Sequence, residues 1–228
     1  MSATQAQFST VDELRALPIL ERRRGRNVTK ADVLRVRHGT VELALKDYSA
    51  RPWLVRTTLC RWLVRRECAA FDAARGVAGL PRFFGRLGPF TLATAWVEAR
   101  PLAEFRYPPG PDPRCFERVS AILDELHACG VALWDLHHRD VLVGADAIHL
   151  VDLATAWIAG PRAGRLRRFV FALACDQDRV NLARMRARYT GGDVAAAAQD
   201  VGRRAALLHG LGRRLRQLVW RGGRRGER

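Results

Sequence analysis

The chain has 228 residues, 48% of them apolar, with 39 basic side chains against 23 acidic ones and a net charge of +16. That length and apolar content suit one large domain or two small lobes around a substantial core, and exclude a disordered chain. No apolar run approaches the roughly 18 residues that a membrane-spanning helix needs. The N-terminus lacks the basic start and apolar stretch of a secretory signal. Five cysteines without a C-x-x-C pair argue against a disulfide framework or a zinc knuckle, and for a reducing cytoplasm. The positive excess calls for an anionic partner: nucleic acid, an acidic membrane face or a phosphorylated ligand. Of the 39 basic residues, 37 are arginine and only Lys30 and Lys46 are lysine. Such a skew matches a bias in base composition, and it makes each lysine informative, because a compact ammonium does a different job from a planar guanidinium.

In chain order, a polar lead-in carries a helix expected from Ser9 or Thr10. The short apolar "LPIL" and the basic "ERRRGRNVTK" follow. "ADVLRV" and "TVELALKDY" alternate as strands, with "RHG" as the tight turn between them; the second strand ends near Lys46. "RTTLCRWLVRRECAAFDAARG" is helical by period and stops at Gly76. "GLPRFFGRLGPFTLATAWVEARPL" holds two strands with glycine turns, and "PPGPDP" marks a break between lobes. "CFERVSAILDELHACG" is a helix with Val119, Ile122, Leu123 and Leu126 on one stripe and Gly130 as its stop. Then come a loop, the strand "VLV", a turn, the strand "IHLV" and a second loop. Helices fill the remainder. Strands with one helix, followed by helices with one hairpin, make an α+β chain in two lobes.

The segment "LDELHACGVALWDLHHRDVLVGADAIHLVDLATAW" resembles the catalytic region of the protein-kinase-like fold, H-R-D-x-x-x-x-N followed by D-F-G. On that resemblance Asp135 falls at the catalytic aspartate and Asp140 at the metal-binding asparagine. Asp152 falls at the aspartate of D-F-G. Phosphoryl transfer needs a carboxylate to orient the acceptor hydroxyl and oxygen ligands to hold magnesium on the phosphates. The fold also requires a strand lysine paired with a helix glutamate. Lys46 stands at the end of "VELALK", and Leu59, Leu63, Glu67 and Phe71 are spaced four apart on the next helix. Glu67 thus lies in an apolar stripe, where an unpaired carboxylate is costly, and Lys46 is its natural partner.

"VLRVRHGTVELALKDYSARPW", "RRECAAFDAARGVAGLPRFFGRL", "VEARPL" and "LHACGVALWDLHHRDVLV" resemble the small bacterial kinases that phosphorylate heptose or Kdo sugars of the lipopolysaccharide inner core. The resemblance covers about Val33 to Asp152. It implies one kinase-like domain over 1–228, with an N-lobe over about 16–105 and a C-lobe over about 106–228. It implies ATP and Mg2+ as cofactors, a sugar or glycolipid acceptor, adenine held at Val97, Glu98 and Ala99, and His137 near the transferring phosphate. Under it, Lys46 positions the α/β-phosphates, Glu67 holds Lys46, Asp135 orients the acceptor, and Asp140 and Asp152 bind magnesium. The location implied is cytoplasmic, peripheral on the inner face of the inner membrane. No A-P-E element follows Trp157, which favours a non-peptide acceptor.

The chain also departs from the pattern. Leu133 stands for the H-R-D histidine, Asp140 for asparagine, and Leu153 and Ala154 for the phenylalanine and glycine of D-F-G. Gly25 is the single glycine in the region of the glycine-rich loop. Besides a sugar kinase, the readings left open are a Ser/Thr protein kinase and a pseudokinase scaffold. Plainer readings stand beside each residue: Asp135 as a loop cap, Asp152 as a strand end, and Glu67 as a helix-edge residue. His137, His138 and Asp140 lack the supporting cluster of a zinc site. His127 is expected behind the catalytic loop, His138 as structural, and Lys30 without a role. The arginine-rich stretch "RRAALLHGLGRRLRQLVWRGGRRGER" reads as a terminal helix with a solvated basic face, or as an interfacial helix for anionic lipid. Nucleic acid is disfavoured, because the aromatics do not interleave with the basic runs.

Overall fold

The structure is a computed structural model and describes residues 17–106, 110–160 and 162–201. The helix expected from Ser9 or Thr10 and the arginine-rich stretch from Arg203 onward lie outside them. The chain divides into two compact units. One holds the described residues up to Arg100 together with Leu142–Ala156; the other holds Pro101–Val141 and the described residues from Trp157 onward.

The first unit is built on an antiparallel sheet of β1 (Ile19–Arg23), β2 (Asp32–His38), β3 (Val41–Asp47), β4 (Phe83–Arg86) and β5 (Thr91–Ala95), in the order β1-β2-β3-β5-β4. The β2–β3 turn runs through Gly39 at φ +61°, a conformation glycine adopts without penalty. Alternation along β3 sorts its side chains. Leu43 and Leu45 join Val36, Leu87 and Ala93 in one cluster, while Tyr48 joins Cys60, Leu63, Val64, Leu92 and Ala154 in a second. Lys46, opposite Leu92 in register, lies on the face of that second cluster. Strand β1 was not legible in the sequence. It pairs only with β2 and leaves most of "ILERR" exposed, so it shows no hydrophobic alternation.

The helical segment begins earlier than its periodicity suggests: α1 (Trp53–Val55), a π-helical turn (Arg56–Cys60), then α2 (Arg61–Ala73). A π-turn inserts an extra residue and rotates the face of the helix. The buried stripe therefore runs through Cys60, Leu63, Val64, Glu67, Ala70 and Phe71, and Leu59 turns outward. The even four-residue stripe from Leu59 is corrected on that ground. Two short strands, Val141–Val143 and Ile148–Leu150, form the expected hairpin, closed by the Gly144 amide on the Ala147 carbonyl at 2.9 Å.

In the second unit, α3 (Arg114–Ala128) buries Val119, Ile122, Leu123 and Leu126 as its pattern requires, with Cys115 and Phe116 beside them. The chain turns at Gly130, φ +76°, where an added Cβ would fall 2.3 Å from the Ala159 carbonyl oxygen. That closeness lets Val131–Ala132 pair with Trp157–Ile158. The long α4 (Arg165–Thr190) and the short α5 (Val194–Val201) are its remaining helices among the described residues. No helix among the described residues is long and apolar enough to cross a membrane.

Candidate active site

In the first unit, Lys46, Glu67 and Asp152 meet. The Lys46 ammonium donates to Glu67 Oε1 at 2.5 Å, to the Val151 carbonyl at 3.0 Å and to Asp152 Oδ1 at 3.5 Å. Glu67 is fully buried, and burial pushes its carboxyl up against the pull of Lys46. Burial likewise disfavours the Lys46 ammonium, but Asp152 and Glu67 overcome it and hold the lysine charged, above its ordinary range. Burial also opposes the Asp152 carboxylate, which Lys46 and Lys30 nevertheless hold at about 2. All of these are consequences of packing several charges in a poorly solvated place.

Lys30, to which the sequence assigned no role, donates to Asp152 Oδ2 at 3.3 Å. Both lysines of the chain therefore reach one carboxylate. The loop that carries Lys30 is fastened by buried Asp32, which accepts from Arg22 (2.8 Å), the Gly25 amide (3.0 Å) and Arg51. Arg51 also donates to the Lys30 carbonyl at 2.9 Å. Gly25 is where the loop closes: a Cβ there would fall 2.3 Å from the Lys30 carbonyl oxygen. The signal available in the sequence was the rarity of lysine itself. The proposed adenine segment, Val97 to Ala99, follows β5. Glu98 receives Arg35 at 2.6 Å and Trp96 Nε1 at 3.2 Å.

In the second unit, Asp135, His137 and Asp140 share one loop, whose backbone is held from below. Asp178 on α4, fully buried, accepts from the Leu133 amide at 2.8 Å and pairs with His127 at 3.0 Å. Burial raises the Asp178 carboxyl, against the pull of His127 and the Leu133 and Trp134 amides. Trp134, immediately before Asp135, is the single described non-glycine residue at positive φ, +67°. Such strain persists only where its surroundings enforce it, and Asp178 with the Asn181 side chain on the Trp134 carbonyl (3.5 Å) supplies the hold. His127 thus lies behind the loop as expected, while its partner Asp178 went unread. A carboxylate on the buried stripe of a helix was the available clue, the same one that exposed Glu67.

Asp135 is exposed. Asp140 accepts the His137 amide at 3.2 Å while its own amide donates to the His137 carbonyl at 2.9 Å, so it also fixes the turn. Tyr189 donates its hydroxyl proton to the Leu102 carbonyl (2.6 Å) and hence accepts from His138 Nδ1 (3.0 Å). Burial, with His137, Arg188 and Arg139, lowers His138 to about 4. A cavity of about 120 Å³ opens beside this loop, lined by His137, His138, Asn181, Arg184, Arg188 and Tyr189.

Among the described residues no three His, Cys, Asp or Glu side chains gather as a metal cage. Magnesium carried by a nucleotide needs only one or two carboxylates, with phosphates and water completing its shell. Asp152, held ionised, fits that demand.

These features define the class of the fold: it is protein-kinase-like, α+β, with an antiparallel sheet and several helices. The chain resembles the Rio2 kinase of Chaetomium thermophilum, whose structure with ADP, Mg2+ and a phosphoaspartate aligns at a TM-score of 0.59 and 16% identity, over 88% of this chain and 68% of that one. It also resembles the kinase domain of Mycobacterium tuberculosis PknI, at a TM-score of 0.53 and 20% identity, over 84% of this chain and 78% of that one. No protein-family profile and no curated protein matches the chain.

Proposed function

We propose that the protein is an ATP- and Mg2+-dependent phosphotransferase that phosphorylates a sugar hydroxyl of the lipopolysaccharide inner core. The observation that carries the phosphotransferase reading is the convergence of Lys46, Glu67 and Asp152 in one poorly solvated cluster. Lys46 binds the α/β-phosphates, Glu67 fixes its ammonium, and the Val97–Ala99 backbone receives adenine. Lys30 leaves Asp152 when phosphate arrives and adds a second cation to the phosphates. Asp152 and Asp140 would hold magnesium, which would neutralise phosphate charge. Asp135 orients the acceptor hydroxyl and takes its proton as the γ-phosphoryl moves from ADP to the acceptor oxygen. Positioning and charge neutralisation account for the rate, without a covalent enzyme intermediate.

Two observations support an acidic sugar as acceptor. The motif resemblance points to inner-core kinases, and the cavity beside Leu136, His137 and His138 is lined by Arg184 and Arg188. At about 120 Å³ it is smaller than the ~300–1,000 Å³ of a typical small-molecule site, so it suits one carboxylate or phosphate of a larger acceptor. A basic tail or face held to the anionic inner leaflet would bring the enzyme to that lipid. The test is transfer of labelled γ-phosphate to a Kdo-bearing lipid A precursor, to the same precursor lacking Kdo, and to a generic protein substrate. Label on the Kdo-bearing lipid, lost in Asp135→Asn, is expected; label on protein alone contradicts the acceptor. The scaffold reading draws on Asp152 being already met by both lysines, and it predicts no transfer to any acceptor.

A further inference from the structure

The helical segment that buries Glu67 on its inner face exposes large apolar side chains on its outer face. Trp53 is 70% exposed, Leu54 65%, Trp62 50% and Leu59 39%. The π-turn is what rotates Leu59 out to join them. Four such residues within ten positions are more than the scattered exposure normal for a soluble surface. Between Asp47 and Glu67 the chain has five arginines, Arg51, Arg56, Arg61, Arg65 and Arg66, and no carboxylate. Arg61 and Arg65 are exposed along the same outer face. The Arg66 guanidinium lies 4.8 Å from the centroid of the Trp62 ring while its Nε donates to the Ala156 carbonyl at 2.7 Å, so the ring is braced from beneath.

We infer that this face, Trp53, Leu54, Leu59 and Trp62 with Arg61 and Arg65, docks on an anionic lipid bilayer. Tryptophan favours headgroup depth, where its apolar body and polar N–H are both served. Arginine at the rim meets lipid phosphate, and leucine supplies the apolar area that enters the acyl boundary. The face is a convex helix surface carrying one sign of charge, which suits a flat anionic sheet. The inference does not rest on the phosphotransferase reading, because lipid binding needs neither nucleotide nor acceptor. If both hold, the helix that positions Lys46 is also the one that touches the membrane.

The test is co-sedimentation of the full chain with vesicles of phosphatidylcholine, and of phosphatidylcholine mixed with phosphatidylglycerol. Wild type is compared with Trp53→Ser/Leu54→Ser/Trp62→Ser and with Arg61→Glu/Arg65→Glu. All five side chains are exposed, and an unchanged melting temperature certifies the fold of each variant. The expected result is binding to the mixed vesicles alone, weakened at least about tenfold in both variants. Wild-type protein that ignores phosphatidylglycerol overturns the inference. So does a triple-serine variant that binds as wild type, which would assign lipid binding to other arginines. A wild-type dimer in the absence of lipid, broken by the serine substitutions, also overturns it, because the face would then be an interface between copies.

Discussion

The two units hold the carboxylates of the proposed site in opposite ways. In the first, the side chains hold each other: Glu67 is fixed by Lys46, Lys46 by Asp152, and Asp152 in turn by Lys30. In the second, Asp135 stands exposed and its position is set through the backbone, by buried Asp178 gripping Leu133 and the strained turn at Trp134. Substitutions of the buried members Lys46 and Glu67 should therefore disturb stability and ligand binding together. Substitutions beneath the second loop should separate the two, costing some stability and turnover while leaving nucleotide affinity alone.

Lys46→Ala should show the largest effect. It leaves the Glu67 carboxylate fully buried without its cation, a loss of about 3–5 kcal/mol, read as a fall in the urea midpoint with an unchanged slope. Glu67→Gln should impair nucleotide binding nearly as much as Lys46→Ala; normal binding in Glu67→Gln would break the proposed coupling. Asp178→Ala should cost about 1–3 kcal/mol through the lost hydrogen bonds to the Leu133 amide and His127. It should lower kcat while the KM for ATP holds, and a change in KM alone would dissolve the contrast between the units. Lys30→Met should change stability by no more than about 1 kcal/mol, since its ion pair is largely exposed. It should nevertheless weaken ATP binding measurably in calorimetry.

A pH series sharpens the same contrast. The Asp152 carboxyl is depressed to about 2 from its ordinary 3.8. The stability it contributes is therefore fully present above about pH 4 and is lost as pH falls through 2. The difference in urea midpoint between wild type and Asp152→Asn should shrink over that interval. A constant difference would place the stabilising charge elsewhere.

What could be read from sequence followed from the strength of local patterns. The β2–β3 hairpin, the stripe of α3 and the later hairpin were legible because alternation, period and glycine stops agreed. The pairing of Lys46 with Glu67 was legible because a carboxylate on a buried stripe demands a partner. Asp178 obeyed the same logic and was overlooked within "CDQD", where three polar residues mask the buried position. Strand β1 gave no pattern because an exposed edge strand needs none. The π-turn was invisible to a fixed helical period, and with it the outward face of Leu59. Lys30 was flagged only by rarity; its contact with Asp152 depends on the Asp32–Arg51–Gly25 fastening of its loop, which spans residues too far apart for any local pattern to show.

The central claim, that the Lys46–Glu67–Asp152 cluster is a metal–nucleotide site, is tested most directly by thermal stability with ATP, with and without magnesium, in wild type and Asp152→Ala. Ligand bound only by the folded state at about 100 times its dissociation constant adds roughly 2.7 kcal/mol. A magnesium-dependent rise in wild type that disappears in Asp152→Ala is the predicted result. No rise in wild type under either condition, or the same rise in the variant, would contradict the claim.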